Sequence, residues 1–384
     1  MDSYIFLLSI AIIMLTTKFL GDMTNKINMP QVVGALMAGI IIGPSCLGLI
    51  SETDFISKTA EIGVILLMFM AGLDTDVKEL KKNSVACFVI AAIGVIVPLI
   101  GGAACYYLFF EKGATEYNEI LKAIFIGVVL TATSVSITVE ALREMGKLDG
   151  KVGSAILGAA VIDDIMGIVV LTVIMSLKNE SVSILWVLGK IVFYAALMLI
   201  LAYLCNQFKE TIDQNKGKRR VSTYVVAACF IVAFVSERYF GVADITGAYL
   251  LGLFLSQHEI KHEIARKISV PSYLIFSPVF FASVGLKVNL DGLTKQLMIF
   301  SLILLAVAVV TKIVGCGLGA KLCGFTGEEA LQVGVGMVSR GEVALIVAQK
   351  GYAVQLISAD MFPPIVVVVI ATTIITPVIL KRIM

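Results

Sequence analysis

The chain has 384 residues, 59% of them hydrophobic and 15% charged, with a mean hydropathy of +0.98 and a formal net charge of +2. That balance lies far outside soluble globular domains. It leaves a polytopic helical membrane protein, because apolar runs recur down the whole length between short charged loops, and it excludes a porin-type barrel, whose alternating ten-residue segments are absent.

In chain order, the length rule predicts about thirteen spans, near residues 3–20, 30–50, 57–73, 84–110, 121–140, 153–177, 183–206, 220–240, 242–257, 271–286, 297–321, 328–349 and 361–380. The first run is long and no A-x-A site follows it, so it reads as a retained helix and not a signal peptide. The second and ninth spans are short and carry glycine. The last run leads directly into Lys381-Arg382-Ile383-Met384, and no stretch is left for a soluble domain.

Loop charge predicts orientation. With loops assigned alternately to two sides, nineteen Lys and Arg fall on one side and eight on the other. The basic side is cytoplasmic by the positive-inside rule. This puts the N-terminus outside, the C-terminus in the cytoplasm and the chain in a cell (inner or plasma) membrane.

An internal repeat is visible. Gly34-Ala-Leu-Met-Ala-Gly39 resembles Gly247-Ala-Tyr-Leu-Leu-Gly252, and Leu67 to Leu73 resembles Phe280 to Leu286, both at an offset of 213 residues. The offset equals seven spans. An odd number inverts the second copy, the pattern of secondary transporters with a midplane site. The mapping pairs span five, around Thr131-Ala132-Thr133-Ser134, with span twelve, around Ser339-Arg340-Gly341-Glu342. Both are polar at mid-membrane, as a locally unwound helix requires.

The chemistry centres on span six, GSAILGAAVIDDIMGIVVLTVIMS, with Asp163 and Asp164 at its middle. Intramembrane carboxylates cost about 2.5–3.5 kcal/mol each on insertion scales and are functional by default. Neighbours on a helix point about 100° apart, so both can border one cavity. Carboxylate oxygen suits a hard cation such as Na+, and protons compete for it. The bland alternative is a structural pair neutralised by basic residues elsewhere. Lys312, near the middle of span eleven, needs a carboxylate partner, and the span-six aspartates are the candidates, unless it snorkels to the surface. Arg340 and Glu342 read as a structural charged pair fixing a broken helix at Gly341. Thr131, Thr133 and Ser134 either coordinate an ion or bond the preceding turn. Glu61 and Lys190 read as structural, and Asp244 as an N-cap. His258 and His262 sit among Glu259, Lys261 and Glu263 in a cytoplasmic loop. They read as solvated, with pH sensing the alternative. The seven cysteines show no C-x-x-C or Cys/His metal spacing and read as packing residues.

Thr131-Ala132-Thr133-Ser134, the Asp163-Asp164 pair, Lys312 in a T-K-x-x-G context and Ser339-Arg340-Gly341-Glu342 together resemble Na+/H+ antiporters of the monovalent cation:proton antiporter superfamily, in particular the NapA-like branch. The helix ends Gly72-Leu73-Asp74 and Gly285-Leu286-Lys287 also fit. The resemblance implies an all-α NhaA/NapA-like fold of two inverted repeats with crossed broken helices. It implies a homodimer, with 1–83 and 220–286 as the dimer domain, 84–177 and 297–384 as the moving core and 183–206 connecting them. It makes Asp164 the main Na+ (or Li+) ligand, with Asp163 exchanging a proton or a salt bridge with Lys312. Paired aspartates imply electrogenic exchange. No cofactor, nucleic acid or nucleotide-binding domain is expected, and no enzymatic constellation is evident. A K+/H+ antiporter, a Na+-coupled symporter for an organic anion and a non-transporting cation or pH sensor are the rival readings.

Overall fold

The computed structural model describes residues 4–111, 116–178, 184–214, 219–288 and 293–384, and over these it is all-helical. The helices are α1 (Ile5–Lys26), α2 (Gln31–Ile42), α3 (Asp54–Asp74), α4 (Val77–Lys82), α5 (Ser84–Phe110), α6 (Tyr117–Thr131), α7 (Val135–Glu144), α8 (Lys151–Lys178), α9 (Ile184–Gln207), α10 (Lys209–Gln214), α11 (Arg219–Val235), α12 (Asp244–Leu255), α13 (Lys261–Pro271), α14 (Ser277–Leu286), α15 (Lys295–Leu322), α16 (Gly327–Gly336), α17 (Glu342–Ala353) and α18 (Phe362–Ile383). Single π turns, Ser236–Phe240 and Ser272–Phe276, continue α11 and join α13 to α14.

Among the described residues, ten helical segments are long and apolar enough to cross a membrane, counting α6–α7, α11 with its π turn, and α13–α14 as one each; α2 and α12 are shorter apolar helices. The chain is a multi-pass membrane protein. Where the sequence predicts helix to residue 50, α2 stops at Ile42. Pro44 disfavours helical backbone at the residue before it, and Gly43 is extended, with ψ 177°. The tenth span begins ten residues before its predicted start, at Lys261, because Pro271 is absorbed by a π turn rather than ending the helix.

Two groups of helices pack closely. In one, α2 lies on α1 and α14, and α3 lies on α12 and α14. In the other, α5 lies at the centre against α15, α6 and α8, and α15 also meets α16 and α18. The contacts use glycine where backbones nearly touch. A Cβ on Gly39 would collide with the Ala282 carbonyl, and one on Gly252 with the Phe69 carbonyl. Gly315 and Gly319, at the spacing that suits close packing, both face α5, at Ile93 and Ile90. The run Leu66 to Met70 is buried throughout and is packing surface, not lipid-facing.

Candidate functional site

Two helix interruptions meet inside the second group. α6 ends at Thr131, and Ala132 to Ser134 run extended before α7 begins. α16 ends at Gly336 and α17 begins after Gly341. Each break frees backbone groups that hydrocarbon cannot satisfy, and the two breaks answer one another. Ser134 N–H donates to Ser339 O at 2.7 Å, and the Thr138 hydroxyl donates to Gly336 O at 2.8 Å. Gly341 permits the approach, since a Cβ there would lie 2.5 Å from Ser134 Oγ. Of the predicted hydroxyls, Thr131 bonds back to Val128 O at 2.7 Å, the bland outcome, while Thr133 reaches across to Met337 O at 3.5 Å. Ala132 is buried beside them.

The charges converge from α8, α15 and the second break. Lys312 is fully buried and its Nζ donates to Asp163 Oδ1 at 2.9 Å. Asp164, one residue on, accepts from the Thr246 hydroxyl of α12 at 3.1 Å. Arg340 is also fully buried and lies within electrostatic reach of Asp163. Its backbone N–H donates to Thr372 Oγ1 at 3.2 Å, and its guanidinium makes no hydrogen bond among the described residues. The side chain of Glu342, the expected partner, lies outside the described residues. Glu61 pairs with Lys58 at 2.9 Å, and Lys190 lies 5.5 Å over the Trp186 ring. Asp244 is the first residue of α12 rather than its N-cap, which is Ala243.

A cavity of about 500 Å³ lies between α3, α12 and α14 on one wall and α17 and α18 on the other. Its mouth carries exposed Glu52, Glu61 and Glu237; deeper are Asp244, Ile245 and Ser283. Ile245 of the cavity wall immediately precedes Thr246, the residue that touches Asp164.

The opposite ends of α3 and α7 are fastened together. Arg143 pairs with Asp74, Glu140 is buried beside Tyr273 and Arg143, and Glu144 accepts the Gln31 and Val32 amides at 2.7 and 3.1 Å, capping α2. In the sequence Arg143 is one of the nineteen basic loop residues, and nothing marks Thr246. Glu140 did carry a signal, an acid at the end of an apolar run. The expectation of a solvated His258 is corrected: it is 3% exposed with Nδ1 3.8 Å from Asp213, because the α12–α13 turn folds under α10. Burial holds its pKa below the ordinary value, against the partial opposition of Asp213. His262 is exposed as expected.

A buried carboxylate pair with a lysine, set where two interrupted helices meet in a multi-pass protein, is the architecture of a secondary transporter. The chain matches the model of the family described as sodium/hydrogen exchanger, transmembrane, over residues 8–384, and it belongs to that family. It is 41% identical over 382 residues to the Na+/H+-K+ antiporter GerN of Bacillus cereus, covering 98% of this chain and 95% of that one. It is 35% identical over 377 residues to a Na+/H+ antiporter of Enterococcus hirae, covering 97% and 96%. The fold is similar to that of the sodium proton antiporter MjNhaP1 from Methanocaldococcus jannaschii, with a TM-score of 0.73 at 18% identity over 99% of this chain and 97% of that one. The family is one of transporters and not of enzymes.

Proposed function

We propose that this protein exchanges a monovalent cation, Na+ or Li+, for protons by alternating access, with Asp164 as the ion-binding carboxylate. The observation that carries the reading is the division of labour within the acid pair. Asp163 is closed by Lys312 at 2.9 Å, and Asp164 accepts from the hydroxyl of Thr246, which follows Ile245 of the cavity wall. A carboxylate beside a hydroxyl offers a hard cation two oxygens, and a proton competes for the same carboxylate. Lys312 gives up a proton as the cation binds and regains one on the return, so two protons are exchanged per monovalent cation and the exchange is electrogenic.

The moving unit is the α5–α8 and α15–α18 group, carried against α1–α3 and α11–α14, with α9 connecting them and the latter group forming a homodimer. Thirteen passes in two inverted copies are supported by glycine contacts that recur at the offset of 213. Gly39 on Ala282 is matched by Gly252 on Phe69, and Gly72 on Tyr249, Gly252 and Leu253 is matched by Gly285 on Leu36, Gly39 and Ile40. The N-terminus is outside, so the cavity faces outward and the Arg143 cluster seals the cytoplasmic side. The residues of the acid pair and the lysine favour the NapA-like branch.

Transport of K+ is the second reading, favoured by the name of the Bacillus cereus relative, which includes K+. Oxygen ligands alone do not choose between the two ions. Proteoliposomes holding a pH-sensitive dye test both. Addition of Na+ or Li+ releases protons, K+ releases fewer, and Asp164→Asn abolishes the response. Full activity in that variant overturns the site assignment, and a larger response to K+ reverses the ion order.

A further inference from the structure

Thr246 differs from most of the helical threonines, and unlike Thr138, whose hydroxyl crosses to a backbone carbonyl, it reaches a carboxylate. Thr17, Thr59, Thr75, Thr172, Thr311 and Thr376 each give their hydroxyl to the carbonyl four residues back, the usual fate of such groups in membrane helices. Thr246 is the third residue of α12, and the carbonyl four residues before it, that of Val242, precedes the helix. Its own N–H is satisfied by Ala243 O at 2.9 Å. The hydroxyl points instead across a helix boundary, to Asp164 Oδ2 at 3.1 Å. Thr246 is 1% exposed and Asp164 9%.

The two residues belong to different groups of helices. α12 packs on α3 and α11, whereas α8 packs on α5, α6 and α16. The Thr246 hydroxyl thus reaches from one group to Asp164 of the other, and the residue before it, Ile245, lines the cavity. A hydroxyl is one donor and two acceptor lone pairs, and its hydrogen rotates. With no cation present it donates to the carboxylate. With a cation on Asp164, it rotates and offers its own oxygen. The 3.1 Å between the two oxygens is about the spacing of adjacent oxygen ligands around one hard cation.

We infer that Thr246 is a cation ligand lent to Asp164 by the opposite helix group, and only in the access state in which the site faces this cavity. The inference rests on the exchange reading and on Asp164 as the ion carboxylate. If the α8 group moves against the α12 group, the ligand is left behind, and the cation is held by one oxygen fewer on the other side. The protein then binds its cation more tightly from the cavity face than from the opposite face.

The test measures the Na+ KM separately from each face, in right-side-out and inside-out vesicles of the full chain. Thr246→Val keeps the shape and removes both the donor and the lone pairs. Thr246→Ser keeps the hydroxyl. The expected result is a rise in KM of about threefold to tenfold at the cavity face in the valine variant, a much smaller change at the opposite face, and recovery with serine. An unchanged KM at both faces, or an equal rise at both, overturns the inference. Should the valine variant not assemble, Thr246→Ala replaces it. Wild type and Asp164→Asn run alongside: no exchange by wild type, or full exchange by Asp164→Asn, defeats the exchange reading itself, whereas a silent or symmetrical valine variant with those controls intact defeats only the role of Thr246.

Discussion

Lys312 and Asp163 close on each other at 2.9 Å with at most 1% of either side chain exposed. A pair so deeply buried is costly to break from one side, since the remaining charge is left without compensation. The pair is also the hinge of the exchange reading, because a lysine that gives up its proton and regains it adds a second proton to the cycle.

Removing Lys312 alone, by Lys312→Met, leaves a buried carboxylate and destabilises by about 3–5 kcal/mol if that carboxylate stays ionised. Asp163→Asn alone strands the ammonium and costs a similar amount. The double variant recovers most of the loss. Thermal unfolding of the purified protein in detergent gives the cycle, and strictly additive losses would show that the contact has no energetic weight. In proteoliposomes, the lysine variant moves less charge per cycle than wild type. An unchanged charge per cycle removes Lys312 from the mechanism.

Gly39 and Gly252 press against backbone carbonyls, which cannot swing aside as a flexible side chain can. Gly39→Ala and Gly252→Ala are each expected to destabilise by about 1–3 kcal/mol, the range for overpacking. Gly167→Ala is the control, for a Cβ there meets nothing within 4 Å. The measurement is again the shift in unfolding temperature. Equal effects at all three sites would mean that helix propensity, and not close approach, decides them.

Glu144 caps α2 from α7, across the two helix groups. Glu144→Ala removes the acceptor from the Gln31 and Val32 amides and costs about 1 kcal/mol, as for a lost helix cap. Hydrogen exchange at residues 31–34 quickens, while the middle of α3 keeps its protection. Uniform quickening in both places would point to global destabilisation instead.

His258 supplies a pH dependence. Its folded pKa lies below the ordinary 6.5, because burial disfavours the charged ring. The unfolded chain therefore binds more protons than the folded one in the window below 6.5. Stability is complete above that pH and declines as the pH falls through it. His258→Gln flattens the acid side of the stability profile. Asp213→Asn deepens the decline, because the carboxylate partly offsets the burial. Titrating unfolding temperature from pH 8 to pH 5 reads both.

Much of this was legible in the sequence. Asp163, Asp164 and Lys312 announce themselves because ionised groups are rare among apolar runs, and the two breaks show as hydroxyl and glycine clusters in spans that the repeat pairs. What stayed hidden depends on contacts between segments distant along the chain. Thr246 looks like any helical threonine until its hydroxyl is seen to cross to α8. Glu144 is one more loop charge until α2 arrives above it. His258 reads as solvated because nothing in its neighbours reveals that α10 covers it. The π turn after Pro271 is equally silent, since a proline marks a helix end at least as well as a helix defect.

The meeting of the two breaks has an electrical consequence. Each half-helix end carries about half an elementary charge, positive at an N-terminus and negative at a C-terminus. α6 and α16 end there and α7 and α17 begin there, so two ends of each sign share one small volume. Their fields largely cancel. A transporter that aims only N-termini at its substrate has a permanent attraction for anions; this scaffold has no standing polarity. Selection by charge is left to side chains that a proton can neutralise, so the same pocket can attract a cation at one moment and release it the next while its backbone stays unchanged.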